Sequence, residues 1–398
     1  MDYIPRELEE ELKKHIEAPE IIAVTGPRQA GKTTLINHLL KDLKNINKIS
    51  FDDMKILEMF EHEIEDFIKT EIEGYNYVFI DEIQYADESG KRLKYIYDKY
   101  HTKIFISGSS ATELSLKSMK YLVGRVFLFE LFPLSFKEFL NYKEPELLKS
   151  EKPGKVLLER INKHLQEFLI YGGYPRAVIG NDKRTVLKNI YNTYLLKEIK
   201  EILNLTEDYK LSKLLEALAQ QIGGIINYNE LSNITEFSYH ELKRYMNILD
   251  NTYICKEARN YHTNKRQELK KSPKIFFIDT GFRNMVLENF SEKRSDIGEL
   301  HENFVASELL KNNQKLKYWR TKNKAEVDFV IDKERPIPIE VKTRNPKITR
   351  SFQSFIKKYN PEKGFILSQE ERRKEVFENT EVIFLPITET HNIEEYTS

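Results

Sequence analysis

Residues 26–33 read Gly-Pro-Arg-Gln-Ala-Gly-Lys-Thr, and this stretch constrains the fold more tightly than any other. It matches G-x-x-x-x-G-K-[ST] at every fixed position. The run Ile21–Thr25 precedes it, and helical spacing over Thr34–Leu43 follows. Strand, glycine turn and helix in that order make a phosphate cradle. The glycines let the backbone wrap an anion, and the amides at the helix start point at it. Gly26, Pro27, Arg28, Gln29, Ala30, Gly31, Lys32, Thr33 and Thr34 are therefore the candidate contacts for ATP. Lys32 is expected on the β/γ oxygens and the Thr33 hydroxyl on Mg²⁺.

A second apolar run, Tyr77-Val-Phe-Ile, ends in Asp81-Glu82. Carboxylates at a strand's C-terminal edge suit a nucleotide site. Asp81 is expected to hold Mg²⁺ through water, and Glu82 to orient or deprotonate the attacking water. Lys103–Ser107 runs into Gly108-Ser109-Ser110, with Ser109 as a γ-phosphate sensor. Gly124-Arg125 offers a cation for transition-state charge, in cis or from a neighbouring subunit; the alternative for Arg125 is a structural ion pair. These segments alternate short strands with amphipathic stretches, which predicts an α/β domain with a parallel sheet over residues 1–142.

Residues 143–209 read as a helical extension, with helices expected over Val156–Leu169 and Arg184–Leu203. Residues 210–281 read as a winged-helix-like region. Its helices are expected at Leu211–Ile222, Tyr228–Ile234 and Tyr239–Leu249, with Leu231, Ile234, Leu242, Tyr245 and Leu249 in a small core and Ser238 as a cap. His240, Lys243 and Arg244 would face DNA. Lys256–Lys274 holds seven basic and two acidic residues, a candidate basic wing including Lys265, Arg266, Lys270 and Lys271.

Residues 282–398 return to α/β patterning. Asp328 lies in the expected strand Glu326–Ile331, and Glu340 and Lys342 are two apart on the next, sharing one face. Glu302, on a helix beginning near Glu299, adds a fourth polar group. This is the layout of a PD-(D/E)xK nuclease. Asp328, Glu340 and Glu302 are candidate Mg²⁺ ligands, and Lys342 is a candidate catalytic lysine that positions water or stabilises charge on phosphate. The alternative is a solvated hairpin with cross-strand ion pairs. One cysteine and dispersed histidines offer no close zinc set.

Gly26–Leu35, Phe79-Ile-Asp-Glu-Ile-Gln84, Gly108-Ser-Ser110 and Gly124-Arg125 with Pro133-Leu-Ser-Phe136 together resemble the archaeal and bacterial AAA-type ATPases of the AAA_14 family. Tyr171-Gly-Gly-Tyr-Pro175 and the C-terminal block resemble the DUF4143 region usually fused to them. The resemblance implies an ASCE-type P-loop core that binds and hydrolyses ATP, and a nuclease-like C-terminal fold that is often degenerate.

Composition narrows the partners. With 63 basic and 63 acidic residues the formal charge is zero, which excludes a globally basic nucleic-acid coat and leaves only local patches. No apolar run nears the roughly 20 residues that span a bilayer, and a lone Cys255 forms no internal disulfide. A soluble, cytoplasmic protein is expected. Three functions follow: an ATPase coupled to a DNA-binding or nuclease-like module, an ATP-controlled metal-dependent DNA endonuclease, or a nucleotide switch that recruits a protein partner. Action of Arg125 in trans would require a homo-oligomer.

Overall fold

The computed structural model describes residues 3–109, 120–150, 154–193, 199, 208–370 and 372–396, without the side chains of residues 208, 267, 269 and 270. Ser110 and, apart from Ile199, the second half of the expected helix Arg184–Leu203 lie outside them. The chain forms two compact units, one of residues up to Pro133 with Asn251–Tyr253, the other of Leu134–Asp250 with the remainder from Ile254.

The first unit is a five-stranded, all-parallel sheet of β1 (Ile21–Gly26), β2 (Ile46–Ser50), β3 (Tyr77–Asp81), β4 (Lys103–Ser109) and β5 (Val126–Glu130), in the order β2-β3-β4-β1-β5. Alternation along the strands divides its core. Ile21, Ala23, Val78, Ile80, Ile104 and Ile106 enter one cluster, while Ile22, Val24, Phe79 and Phe105 enter another with Leu35, Ile36 and Leu39 of the helix Lys32–Leu39. Burial on both faces explains why β1, β3 and β4 read as continuous apolar runs. β2 (INKIS) and β5 were not evident as strands. Both are edge strands, and Leu128 of β5 is 49% exposed rather than core.

The second unit has two sheets. One contains β6 (Cys255–Asn260), β7 (Lys274–Phe277), β8 (Lys317–Arg320) and β9 (Glu326–Val327) in the order β7-β6-β8-β9. The other contains β10 (Phe329–Ile331), β11 (Ile337–Val341), β12 (Lys363–Ser368), β13 (Arg373–Phe377) and β14 (Thr380–Pro386) in the order β10-β11-β12-β14-β13. The expected single strand Glu326–Ile331 breaks at Asp328, so its halves serve different sheets. The cause is local, because Asp328 Oδ2 accepts the Val341 N–H at 2.8 Å.

Helices Asp208–Gln220, Tyr228–Thr235 and Tyr239–Asn251 precede the antiparallel pair β6–β7, and Ile225 bridges to Lys274. Ser238 caps the third helix: its Oγ accepts the Glu241 N–H at 3.3 Å, and Glu241 accepts the Ser238 N–H at 2.8 Å. Leu231, Leu242, Tyr245 and Leu249 are buried, but Ile234 is 39% exposed and does not join that core. Trp319 and Cys255 are buried, and burial pushes the Cys255 thiol well above its ordinary value, away from nucleophile chemistry.

Candidate functional site

In the first unit, parallel strands bring their C-terminal ends to one edge, with Gly26 opposite Ser109 in register. Gly26 has φ +149°, and a Cβ there would lie 2.1 Å from the Leu131 carbonyl oxygen. Gly31 has φ +98° and starts the helix Lys32–Leu39. Both positions need glycine for conformation, and Gly26 for close approach as well. Lys32 Nζ donates to the Gly26 and Pro27 carbonyls at 3.0 Å each. Arg6 donates to the Ala30 carbonyl at 2.8 Å and the Phe132 carbonyl at 2.7 Å, anchoring the loop from outside the motif.

The Thr33 hydroxyl donates to Asp81 Oδ2 at 2.8 Å, and Ser107 Oγ donates to Asp81 Oδ1. Glu82 takes a left-handed backbone, φ 55°, and its carboxylate accepts from Gln84 Nε2. Gln84 Oε1 in turn accepts the Ser109 N–H at 3.2 Å. Gly108 makes room for this, since a Cβ there would meet Gln84 Oε1 at 2.7 Å. Lys32, Thr33, Asp81, Glu82 and Ser109 thus meet at one edge. Arg6, Gln84 and Ser107 were missed, and of these only Gln84, inside Asp81-Glu-Ile-Gln84, carried a sequence signal.

Arg125 is not at this edge. It immediately precedes β5, where its carbonyl accepts the Ile21 N–H at 2.8 Å, so it lies where the strands begin. Its guanidinium pairs with Asp98 at 2.7 Å. A role on phosphate from within the same chain is not what this geometry provides.

In the second unit, Glu302, Asp328, Glu340 and Lys342 do come together. Lys342 Nζ is 2.7 Å from Glu340 Oε1, and Thr349 Oγ1 donates to Glu340 at 2.9 Å. Lys274 and Glu326, which were not anticipated, join them through an ion pair of 2.6 Å. Burial and the neighbouring Asp328 push the Glu302 carboxyl up to about 8. Burial likewise raises Asp328 and Glu340. Among the described residues, no group of three or more His, Cys, Asp or Glu side chains converges to hold a metal ion.

The Glu302 shift has a stability consequence. Between about pH 4.5 and 8 the folded chain keeps a proton that the unfolded chain has lost, so this contribution is complete below that window and disappears as pH rises through it. Glu302→Gln is expected to raise the thermal midpoint at pH 9, by a few kcal/mol of stability, with little change at pH 5. A pH-independent difference across a melting series would contradict the assignment.

Of the expected DNA-facing cations, His240, Lys243 and Arg244 are exposed on Tyr239–Asn251. In the hairpin, Lys265 pairs with Asp332 at 2.9 Å and Lys271 donates to Asn260 at 3.1 Å; Arg266 is exposed, and the Lys270 side chain lies outside the described residues. The hairpin is also not a bare β-wing, because the short helix Lys265–Lys270 interrupts it.

Comparisons with known proteins match three stretches of the chain. Residues 18–140 match the sequence profile of an AAA domain (AAA_14), residues 162–293 a domain of unknown function (DUF8612) and residues 297–389 another (DUF4143). An uncharacterized protein of Haemophilus influenzae is 24% identical over 385 residues, 92% of this chain and 93% of that one. An uncharacterized protein of Methanocaldococcus jannaschii is 28% identical over 340 residues, 81% of this chain and 74% of that one. The Walker-type ATPase PABY2304 of Pyrococcus abyssi is a similar solved structure, with 16% identity, a TM-score of 0.44, and coverage of 72% of this chain and 96% of that one. The chain therefore carries an α/β, AAA-type P-loop ATPase domain and a DUF4143 region. Among the described residues no helix is long and apolar enough to cross a membrane.

Proposed function

We propose that the chain binds Mg²⁺·ATP, hydrolyses it in the first unit, and couples that cycle to DNA held by the second. The observation that carries this reading is the 2.8 Å approach of the Thr33 hydroxyl to the Asp81 carboxylate beside Lys32. Both are hard oxygen donors of the kind Mg²⁺ takes, so the donor set fits the ion. Lys32 and the amides that open its helix suit the phosphates. Glu82, oriented by Gln84, suits the base that prepares water. Bound Mg²⁺ would supply charge neutralisation on the β/γ oxygens.

The DNA part is supported by the order of three helices and an antiparallel hairpin, which is the winged-helix order, and by exposed Lys243 and Arg244 on the third helix. Phosphate release measured with and without duplex DNA tests the coupling. DNA is expected to change the rate, and the double variant Lys243→Glu Arg244→Glu to weaken DNA binding at least tenfold and reduce its salt dependence. A rate indifferent to DNA, with wild-type affinity in that variant, would contradict it.

A second reading, metal-dependent DNA cleavage by a PD-(D/E)xK-like region, draws on one observation: Glu302, Asp328, Glu340 and Lys342 share a site. Those carboxylates do not converge as a ligand set, so no cleavage step is assigned to them.

A further inference from the structure

The cluster in the second unit contains a cation that the motif does not explain. Lys274, on β7, is 2% exposed, and its Nζ pairs with Glu326 at 2.6 Å. Its ammonium also interacts electrostatically with Glu302 and Asp328, and so favours the ionised form of acidic groups that burial and one another's charge oppose. Arg320 closes the far side of Glu326 at 3.2 Å. Lys342 does the same for Glu340. The backbone holds β7 firmly: Lys274 is in register with Ala258 of β6, Ile225 bridges to it, and Gly223 donates to the Ile275 carbonyl at 3.0 Å. Gly223 also leaves space for Glu302, whose Oε2 would lie 2.9 Å from any Cβ there.

We infer that Lys274 is the resident counter-ion of Glu326, Glu302 and Asp328, and that it excludes a divalent cation from Glu302 and Asp328. An ammonium and a divalent ion compete for the same negative field, and two such charges in one poorly solvated site repel. The inference rests on reading Glu302 and Asp328, with Glu340, as a divalent-ion set. It also gives the hairpin strand, beside the motif residue Lys342 on Glu340, a part in balancing the charge of the cluster.

Calorimetric titration of the full chain with Mn²⁺ tests it, with Thr33→Ala in every arm to remove the phosphate-loop site. Lys274→Met is expected to bind one Mn²⁺ at least tenfold more tightly than the parent. Lys274→Arg, which keeps the charge, should behave like the parent, and adding Asp328→Asn to Lys274→Met should abolish the gain. Thermal melts confirm that each variant is folded. Equal binding by parent and Lys274→Met, lost in both with Asp328→Asn, would overturn exclusion by Lys274 while leaving the ligand-set reading intact. No binding by a folded Lys274→Met would overturn both.

Discussion

Lys32→Ala is expected to lower ATP turnover by about 100- to 1000-fold, the range seen when a preorganised donor to developing charge is removed. The loop geometry makes lysine hard to replace. Lys32 is 6% exposed, and its Nζ is held over the loop by the Gly26 and Pro27 carbonyls, so its charge is fixed before any phosphate arrives. Alanine keeps the helix, because the buried Leu35, Ile36 and Leu39 still pack on the sheet. The loss should therefore appear in phosphate release and not in the thermal midpoint. Normal turnover by the pure variant would remove the site from Lys32.

Gly281→Ala is expected to cost the second unit about 3 kcal/mol, at the top of the usual overpacking range, and to lower the midpoint of its unfolding by about 10 °C. A Cβ on Gly281 would lie 2.1 Å from the Tyr171 carbonyl oxygen and 2.6 Å from the Gly172 nitrogen. Both are backbone atoms fixed by other bonds. Asp279 accepts the Gly173 N–H at 2.7 Å and the Phe282 N–H at 2.8 Å, and Asn284 Nδ2 donates to the Leu169 and Ile170 carbonyls at 2.9 Å. The Tyr171-Gly-Gly-Tyr-Pro175 motif is thus a docking surface for Asp279–Asn284, which accounts for its glycines without chemistry. Gly154→Ala, with ordinary φ and nothing within 4 Å of the new methyl, is the control and should lose no more than the roughly 1 kcal/mol of a changed helix N-cap. Scanning calorimetry checks both.

These contrasts show what was legible in the residues. The phosphate loop was, because its parts are contiguous and each acts through backbone next to it. Asp81 and Glu82 were, because they end a strand buried on both faces. Ser107 was not, since its reach to Asp81, like that of Gln84 to the Ser109 N–H, depends on how β3 and β4 lie side by side. Arg125 misled as a phosphate contact in cis: a residue just before a parallel strand sits at the edge opposite the loop that follows a neighbouring strand. Lys274 was counted as wing charge. Only the β6–β7 pairing, with the Ile225 bridge, turns it inward onto Glu326. The polar edge strand β13 (RKEVF) escaped because none of its residues is buried, so no apolar pattern marks it.

The central claim is that the loop at Gly26–Thr33 takes a magnesium-bound triphosphate. Isothermal titration of the folded chain with Mg²⁺·ATP addresses it directly. The expected result is saturable binding of one nucleotide per chain in the parent and its loss in Lys32→Ala. Absence of saturable heat in a parent that melts cooperatively, or the same affinity in Lys32→Ala, would contradict it.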